Sequence, residues 1–293
     1  MKRKHLIKEF LKTFGFFPAP SSSATLGPIA QYEEGGRIPW TPGYPEYRHQ
    51  FIEQTLATPD MLAKFRENRP LPAGFGIRLD ERVIEYPWVY ARLGEQPGLV
   101  LDAGSTLNWP FLLRSPILRR KTLILYTLAP ETVFPGAKLS YVYGDLRSTV
   151  LRDEFFDTIV CISALEHIGM DNAVYTEDEQ FHVNSVGSDL SVLHEFRRLL
   201  KPGGDLFITV PYGRRQNFGW FEQFDEAKLD CAIQTFGGKL GDRAFYRYDV
   251  NGWQVSDAAA CENQEFSPVA WRDVIAPDRA AAARAVACLR LLK

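Results

Sequence analysis

The chain has little that would cross-link it or hold it in a membrane. Its four cysteines, Cys161, Cys231, Cys261 and Cys288, lie far apart in 293 residues with no CxxC pair. That excludes a dense disulfide framework and a paired-cysteine zinc site, and fits a reducing cytoplasm. No run reaches the roughly eighteen consecutive apolar residues of a membrane span, and no small-residue cleavage site follows a long apolar core near the start. Neither charge is in excess: 34 Lys and Arg against 36 Asp and Glu leave a net charge of -2, too weak a field to gather nucleic acid. What is present, 45% hydrophobic and 24% charged residues, makes a folded chain long enough for one large domain with an extension.

Basic charge gathers only at the start. "MKRKHLIKEFLK" carries five Lys or Arg against one Glu, with Leu6, Ile7, Phe10, Leu11 and Phe14 at helical spacing. Such a stretch suits a terminal helix packed on the domain, or weak contact with an anionic membrane surface. Residues 15–47 are rich in Pro, Gly and Ser and read as a connection. Helical periodicity follows over 46–69, broken at Pro59 after a Thr58 able to cap, and over 79–93. Residues 1–95 are therefore expected to form a helical extension or cap, and residues 96–293 the main domain.

After Gly94 come five short apolar runs, "GLVLDA", "KTLILYTL", "LSYVYGD", "FDTIVCIS" and "DLFITVPYG". They read as strands buried on both faces, alternating with helical or turn segments: an α/β, doubly wound, mostly parallel sheet. The longest helix among them, over 188–200, ends at "KPGG", where Pro202 cannot continue it and the glycines allow a reversal. "RAFYRYDV" and "GWQVSD" are split by Asn251-Gly252, a hairpin signal that makes them antiparallel. A C-terminal helix is expected to close the chain. There are too few strand and helix pairs for an eight-fold barrel.

In a doubly wound sheet the ligand sits at the carboxyl ends of the strands. The first such exit is "LDAGSTLN", residues 101–108. A dinucleotide loop needs glycine where this one has Thr106, because backbone must approach the pyrophosphate. A cofactor without phosphates removes that need. Here the sequence resembles the class I S-adenosylmethionine-dependent methyltransferases: "LDAGSTLN" after the first strand, "YGDLR" after the third, "FDTIVCISALEHIG" at the fourth and "LLKPGGDLFITVP" into the fifth. The resemblance covers residues 98–257 and implies a Rossmann-like, seven-stranded sheet with its last strand antiparallel.

It also implies a cofactor set of Asp102, Ala103, Gly104, Ser105, Thr127, Asp145, Leu146 and Ser163. In that set Gly104 lets backbone approach the methionine moiety, Asp102 helps hold its ammonium group, Asp145 accepts from the adenine amino group and the Leu146 amide meets a ring nitrogen. One departure stands out. The family usually ends its second strand in an acid that binds the ribose, whereas "TLILYTLAPE" offers Tyr126 and Thr127 and no acid before Glu131. Either the loop bends Glu131 into place or weaker groups hold the ribose.

Methyl transfer requires an aligned acceptor and, for a hydroxyl, a proton acceptor. The exit of the fourth strand offers His167, with Glu166 and Asp171 beside it; an imidazole suits the task at neutral pH. The alternatives are an imidazole that only packs over the cofactor, or Glu166, His167 and Asp171 as cation ligands, although no closed ligand set is present. Two loops should shape an acceptor site: 169–189, with His182, and 211–225, where Arg214 and Arg215 suit an anionic group and Tyr212, Phe218, Trp220 and Phe221 a ring. Tyr212, Arg214, Arg215 and Trp220 are the expected acceptor contacts. The function expected is O-methylation of a small polar or sugar-derived acceptor. A catalytically silent relative and a nicotinamide-dependent oxidoreductase are the alternatives, the latter opposed by Thr106.

Overall fold

The structure, a computed structural model, describes residues 27–136, 138–176, 190–267 and 275–293. The basic stretch 1–12 and His182 lie outside the described residues, so neither expectation is addressed. The chain opens with helices α1 (Pro28–Glu34), α2 (Tyr44–Leu56), α3 (Pro59–Arg66) and α4 (Arg82–Leu93). The break between α2 and α3 falls at Pro59 as expected. Thr58 does not cap α3 with its side chain, however, because its hydroxyl donates back to the Gln54 carbonyl.

The strands are β1 (Gly98–Ala103), β2 (Lys121–Thr127), β3 (Leu139–Tyr143) and β4 (Phe156–Ile162). After helix α5 (Val192–Leu199) come β5 (Leu200–Pro211), helix α6 (Glu226–Phe236), β6 (Lys239–Asp249), β7 (Gly252–Ser256) and β8 (Ala285–Leu292). One sheet holds all eight in the order β3-β2-β1-β4-β5-β8-β6-β7. The first five are parallel, and β6 and β7 form the antiparallel hairpin expected at Asn251-Gly252.

The sheet keeps the expected mostly parallel, seven-stranded core with an antiparallel C-terminal strand and carries one strand more. One expectation is corrected: the chain ends in a strand where a helix was expected, and β8 runs antiparallel between β5 and β6. The run "AAAARAVACLRLL" is rich in good helix formers, but a slot flanked by two strands satisfies the backbone of β8 on both sides and overrides that weak preference. The "KPGG" reversal is also less abrupt than expected. β5 already begins at Leu200, and its register with β4 shifts between Phe156 and Thr158.

Alternate side chains along each strand enter opposite cores, as strand geometry requires. Leu101, Ile159, Cys161, Leu206, Ile208 and Leu289 pack on one face with α5 and α6. Val100, Val160, Ile162, Phe207, Val286 and Cys288 pack on the other with the N-terminal helices. The N-terminal helical segment is thus one of the two layers that bury the sheet. Helix α4 is its innermost part and sends Trp88 against Phe207 of β5. Among the described residues no helix is long and apolar enough to cross a membrane.

Candidate active site

The carboxyl ends of β1 to β4 open on a cavity of about 630 Å³, lined among others by Gly104, Thr127, Glu131, Asp145, Leu146 and His167. The loop after β1 forms its floor. Asp102 is fully buried beneath that loop: its carboxylate accepts from the amides of Thr106 (3.1 Å) and Leu107 (2.7 Å) and from the Thr106 hydroxyl (3.2 Å). Burial outweighs these bonds and pushes the carboxyl up to about 7. Asp102 therefore folds the loop from below and does not line the cavity, in place of the direct ammonium contact expected of it.

Gly104 is explained by a different neighbour from the one expected. Its φ of +109° lies where side chains are rarely tolerated, and a Cβ added there would stand 2.6 Å from the Ala164 Cβ. The glycine lets the loop after β1 cross the loop after β4, and the crossing brings its backbone to the cavity wall. Ala103 is buried under the crossing, while Ser105 and Ser163 face the cavity with φ of +57° and +37°.

Glu131, four residues beyond the end of β2, folds back to the first loop. There it accepts from the Ser105 hydroxyl and from Asn108 Nδ2 (2.9 Å). Asn108 is itself fixed by the Thr132 carbonyl and the Tyr141 hydroxyl. Partial burial raises the Glu131 carboxyl despite these bonds. Across the cavity Asp145 is paired with Arg147 at 2.6 Å; although burial works against it, hydrogen bonds from Arg147 hold its carboxyl below the usual range.

At the exit of β4, His167 Nδ1 lies 2.8 Å from the Trp220 carbonyl. A carbonyl only accepts, so Nδ1 carries the proton and Nε2 the lone pair. Burial pushes the imidazole down to about 4, keeping it neutral at pH 7. Its ring stacks on Trp220 with centroids 5.2 Å apart. Glu166, 2% exposed, has Oε1 3.9 Å from His167 Nε2, and burial pushes its carboxyl up to about 8. Asp171 does not join them: its carboxylate caps the Ala173 amide at 3.0 Å. Glu166, His167 and Asp171 therefore do not converge as cation ligands, and no group of three potential ligands does so among the described residues.

The expected acceptor contacts separate in the same way. Trp220 is at the site. Tyr212 is buried and donates to Glu226 (3.0 Å), Arg214 pairs with Glu265 (2.8 Å) and Arg215 with Glu222 (2.7 Å). Sequence reasoning missed two residues on α4. Arg82 lines the cavity, and Glu85, fully buried, binds the Arg82 guanidinium while accepting from Ser163 Oγ (2.6 Å) and Thr209 Oγ1 (2.8 Å). The available signal was a pair of opposite charges three residues apart at the start of a helix whose one further charge is Arg92 in its last turn.

Residues 125–208 match the family model described as a methyltransferase domain. That match spans under a third of the chain, and the parallel sheet with the cavity at its carboxyl edge agrees with it. No curated protein matches the sequence.

Solved structures show a distant likeness. The 1,6-didemethyltoxoflavin-N1-methyltransferase of Burkholderia thailandensis is 14% identical, with 94% of each chain covered and a TM-score of 0.43. An S-adenosylmethionine-dependent methyltransferase of Mesorhizobium loti is 12% identical, covering 71% of this chain and 97% of that one, with a TM-score of 0.44. The N-methyltransferase NodS of Bradyrhizobium japonicum is 15% identical, covering 84% and 98%, with a TM-score of 0.38.

The residues present fit the cofactor. The cavity is large enough for a nucleoside joined to an amino acid. Its rim carries the carboxylates of Glu131 and Asp145, acceptors of the kind that ribose hydroxyls and an adenine amino group can donate to. No glycine-lined phosphate cradle is present at Thr106.

Proposed function

We propose that this enzyme methylates a hydroxyl oxygen of a small polar acceptor of the sugar-derived kind, with His167 receiving the hydroxyl proton. In this reading Gly104 and Ser105 face the amino-acid end of S-adenosylmethionine, Glu131 the ribose hydroxyls, and Asp145 with the Leu146 amide the adenine. When bound, the cofactor supplies a methyl group made electrophilic by the sulfonium. The rest of the chemistry belongs to the chain. The bond from Nδ1 to the Trp220 carbonyl fixes the tautomer that leaves Nε2 as the proton acceptor, and the Trp220 ring limits where an acceptor can lie.

The observation that carries the reading is the placement of a neutral, oriented imidazole on the wall of the cavity that fits the cofactor. The test has two parts. Calorimetry should show binding of S-adenosylmethionine, and sugar-derived hydroxyl compounds should then be screened for methyl incorporation by mass spectrometry. With a working acceptor, His167→Ala should lower kcat about 10²- to 10⁴-fold with cofactor affinity nearly unchanged. Equal turnover would remove His167 as the base, and no cofactor binding by folded protein would remove the reading altogether.

A further inference from the structure

Behind His167 lies a second, smaller chamber of about 30 Å³, and Arg82, Ser163 and His167 form the wall it shares with the large cavity. That volume holds roughly two water molecules, or two non-hydrogen atoms of a ligand. Its charged groups do not balance. Asp80 pairs with Arg48 of α2 and Glu85 with Arg82 of α4. Among the described residues Glu81 and Glu166, 7% and 2% exposed, share the field of Arg82 with Glu85, so four carboxyl groups there meet two guanidiniums.

Glu81 takes one bond, from the Ala283 amide at 3.0 Å. Glu166 Oε2 is buried with no hydrogen-bond partner at all. A buried polar atom left in that state is costly, and a ligand able to donate to it removes the cost. The remaining walls are aromatic, Trp40, Trp220, Phe221 and Phe266, and ring faces attract a desolvated cation.

Building on the methyl-transfer reading above, we propose that this chamber is a socket for an ammonium group, and that the acceptor is an amine-bearing alcohol whose cationic end docks between Glu81 and Glu166. The shared wall then presents the neighbouring hydroxyl to His167 Nε2. An anionic end group cannot donate to Glu166, and a neutral donor leaves the surplus of carboxyl groups without a counter-charge, so the chamber selects by charge. The charged and titratable groups lining it are Arg48 from α2, Asp80 and Glu81 from the turn before α4, Arg82 from α4, and Glu166 and His167 from the exit of β4, while Glu85 and Cys161 act on Glu166 electrostatically from outside the chamber. Both carboxyls are pushed up to about 8, Glu81 by burial and by the charge of Asp80, Glu166 by burial, which outweighs a hydrogen bond from Ser163 and the charge of Arg82. A docking cation therefore displaces protons at pH 7.

The test uses methylammonium as probe and methanol as its neutral counterpart, on full-length protein saturated with S-adenosylhomocysteine so that the cofactor site is filled. Methylammonium should shift the emission of Trp40 and Trp220. Calorimetry in two buffers of different ionisation enthalpy should show about one proton released per cation bound. Methanol should do neither, and Glu166→Gln should weaken the response at least tenfold while still binding S-adenosylhomocysteine.

An equal response to methanol, an unaltered Glu166→Gln response, or loss of the response on adding S-adenosylhomocysteine would overturn the proposal. The last result would assign the chamber to the cofactor. Failure of S-adenosylhomocysteine itself to bind would overturn the underlying reading instead, so the two failures are separable.

Discussion

The explanation of Gly104 can be tested by a pair of substitutions. In Gly104→Ala the new methyl would stand 2.6 Å from the Ala164 Cβ, about 1 Å inside the 3.5–4.0 Å at which carbons pack. Two costs then add. Holding alanine at φ of +109° costs about 1–3 kcal/mol, and relieving the clash by backbone shifts costs about 1–3 kcal/mol more. Removing the opposing methyl in Ala164→Gly should cost only about 1 kcal/mol alone. In the double variant the clash disappears and only the dihedral strain remains. Urea denaturation should therefore give a favourable coupling of about 1–3 kcal/mol between the two positions.

Affinity for S-adenosylhomocysteine, measured on the same proteins, should fall in Gly104→Ala and return largely in the double variant, because the crossing of the two loops sets the cavity wall. Additive stabilities within about 0.5 kcal/mol would refute this account. So would an affinity loss that Ala164→Gly fails to rescue, which would restore direct approach to the cofactor as the reason for glycine.

Glu85→Ala should cost about 3–5 kcal/mol, because it leaves the Arg82 guanidinium buried without its partner; a thermal melt within a degree or two of the parent would contradict this. Asp102→Asn should lose about 1–3 kcal/mol, since an amide can aim only one oxygen at the two loop amides and must bury a donor opposite them; urea midpoints report it. Glu131→Ala should weaken S-adenosylmethionine binding about tenfold, whereas unchanged calorimetric affinity would take Glu131 out of the ribose site. For Glu166 the folded carboxyl is raised to about 8 from about 4.3 unfolded, so the folded state binds the extra proton and its stability contribution fades as pH rises through 8. Glu166→Gln should therefore gain stability relative to the parent between pH 6 and pH 9 in melting experiments, and a parallel pair of profiles would show that Glu166 is not buried as described.

What was legible in the sequence followed from whether a residue's neighbours are near it in the chain. The five parallel strands and the hairpin at Asn251-Gly252 are specified by local apolar runs and turn residues. β8 is not, because its strand state depends on the slot between β5 and β6, and its own alanines favour a helix. The same division runs through the site. Asp102 and His167 were found by position, but the carboxylate of Asp102 turned out to serve Thr106 and Leu107, whereas the imidazole of His167 does face the cavity. Glu131 was visible as one of two options because only four residues separate it from β2.

Arg82 and Glu85 were invisible as site residues, since a charged pair on a helix usually marks a solvated face. Here that face lies against Ser163 and Thr209, 78 and 124 residues further along from Glu85. The consequence concerns the N-terminal helices as a whole. Glu85 joins α4, the exit of β4 and β5 through one carboxylate, and Trp88 packs from the same helix onto Phe207. A segment that supplies both a layer of the core and a wall of the site cannot act as a detachable cap. Movement of α4 would shift Ser163 and the wall beside His167, so the shape of the cavity there is set by residues 82–93 as much as by the sheet.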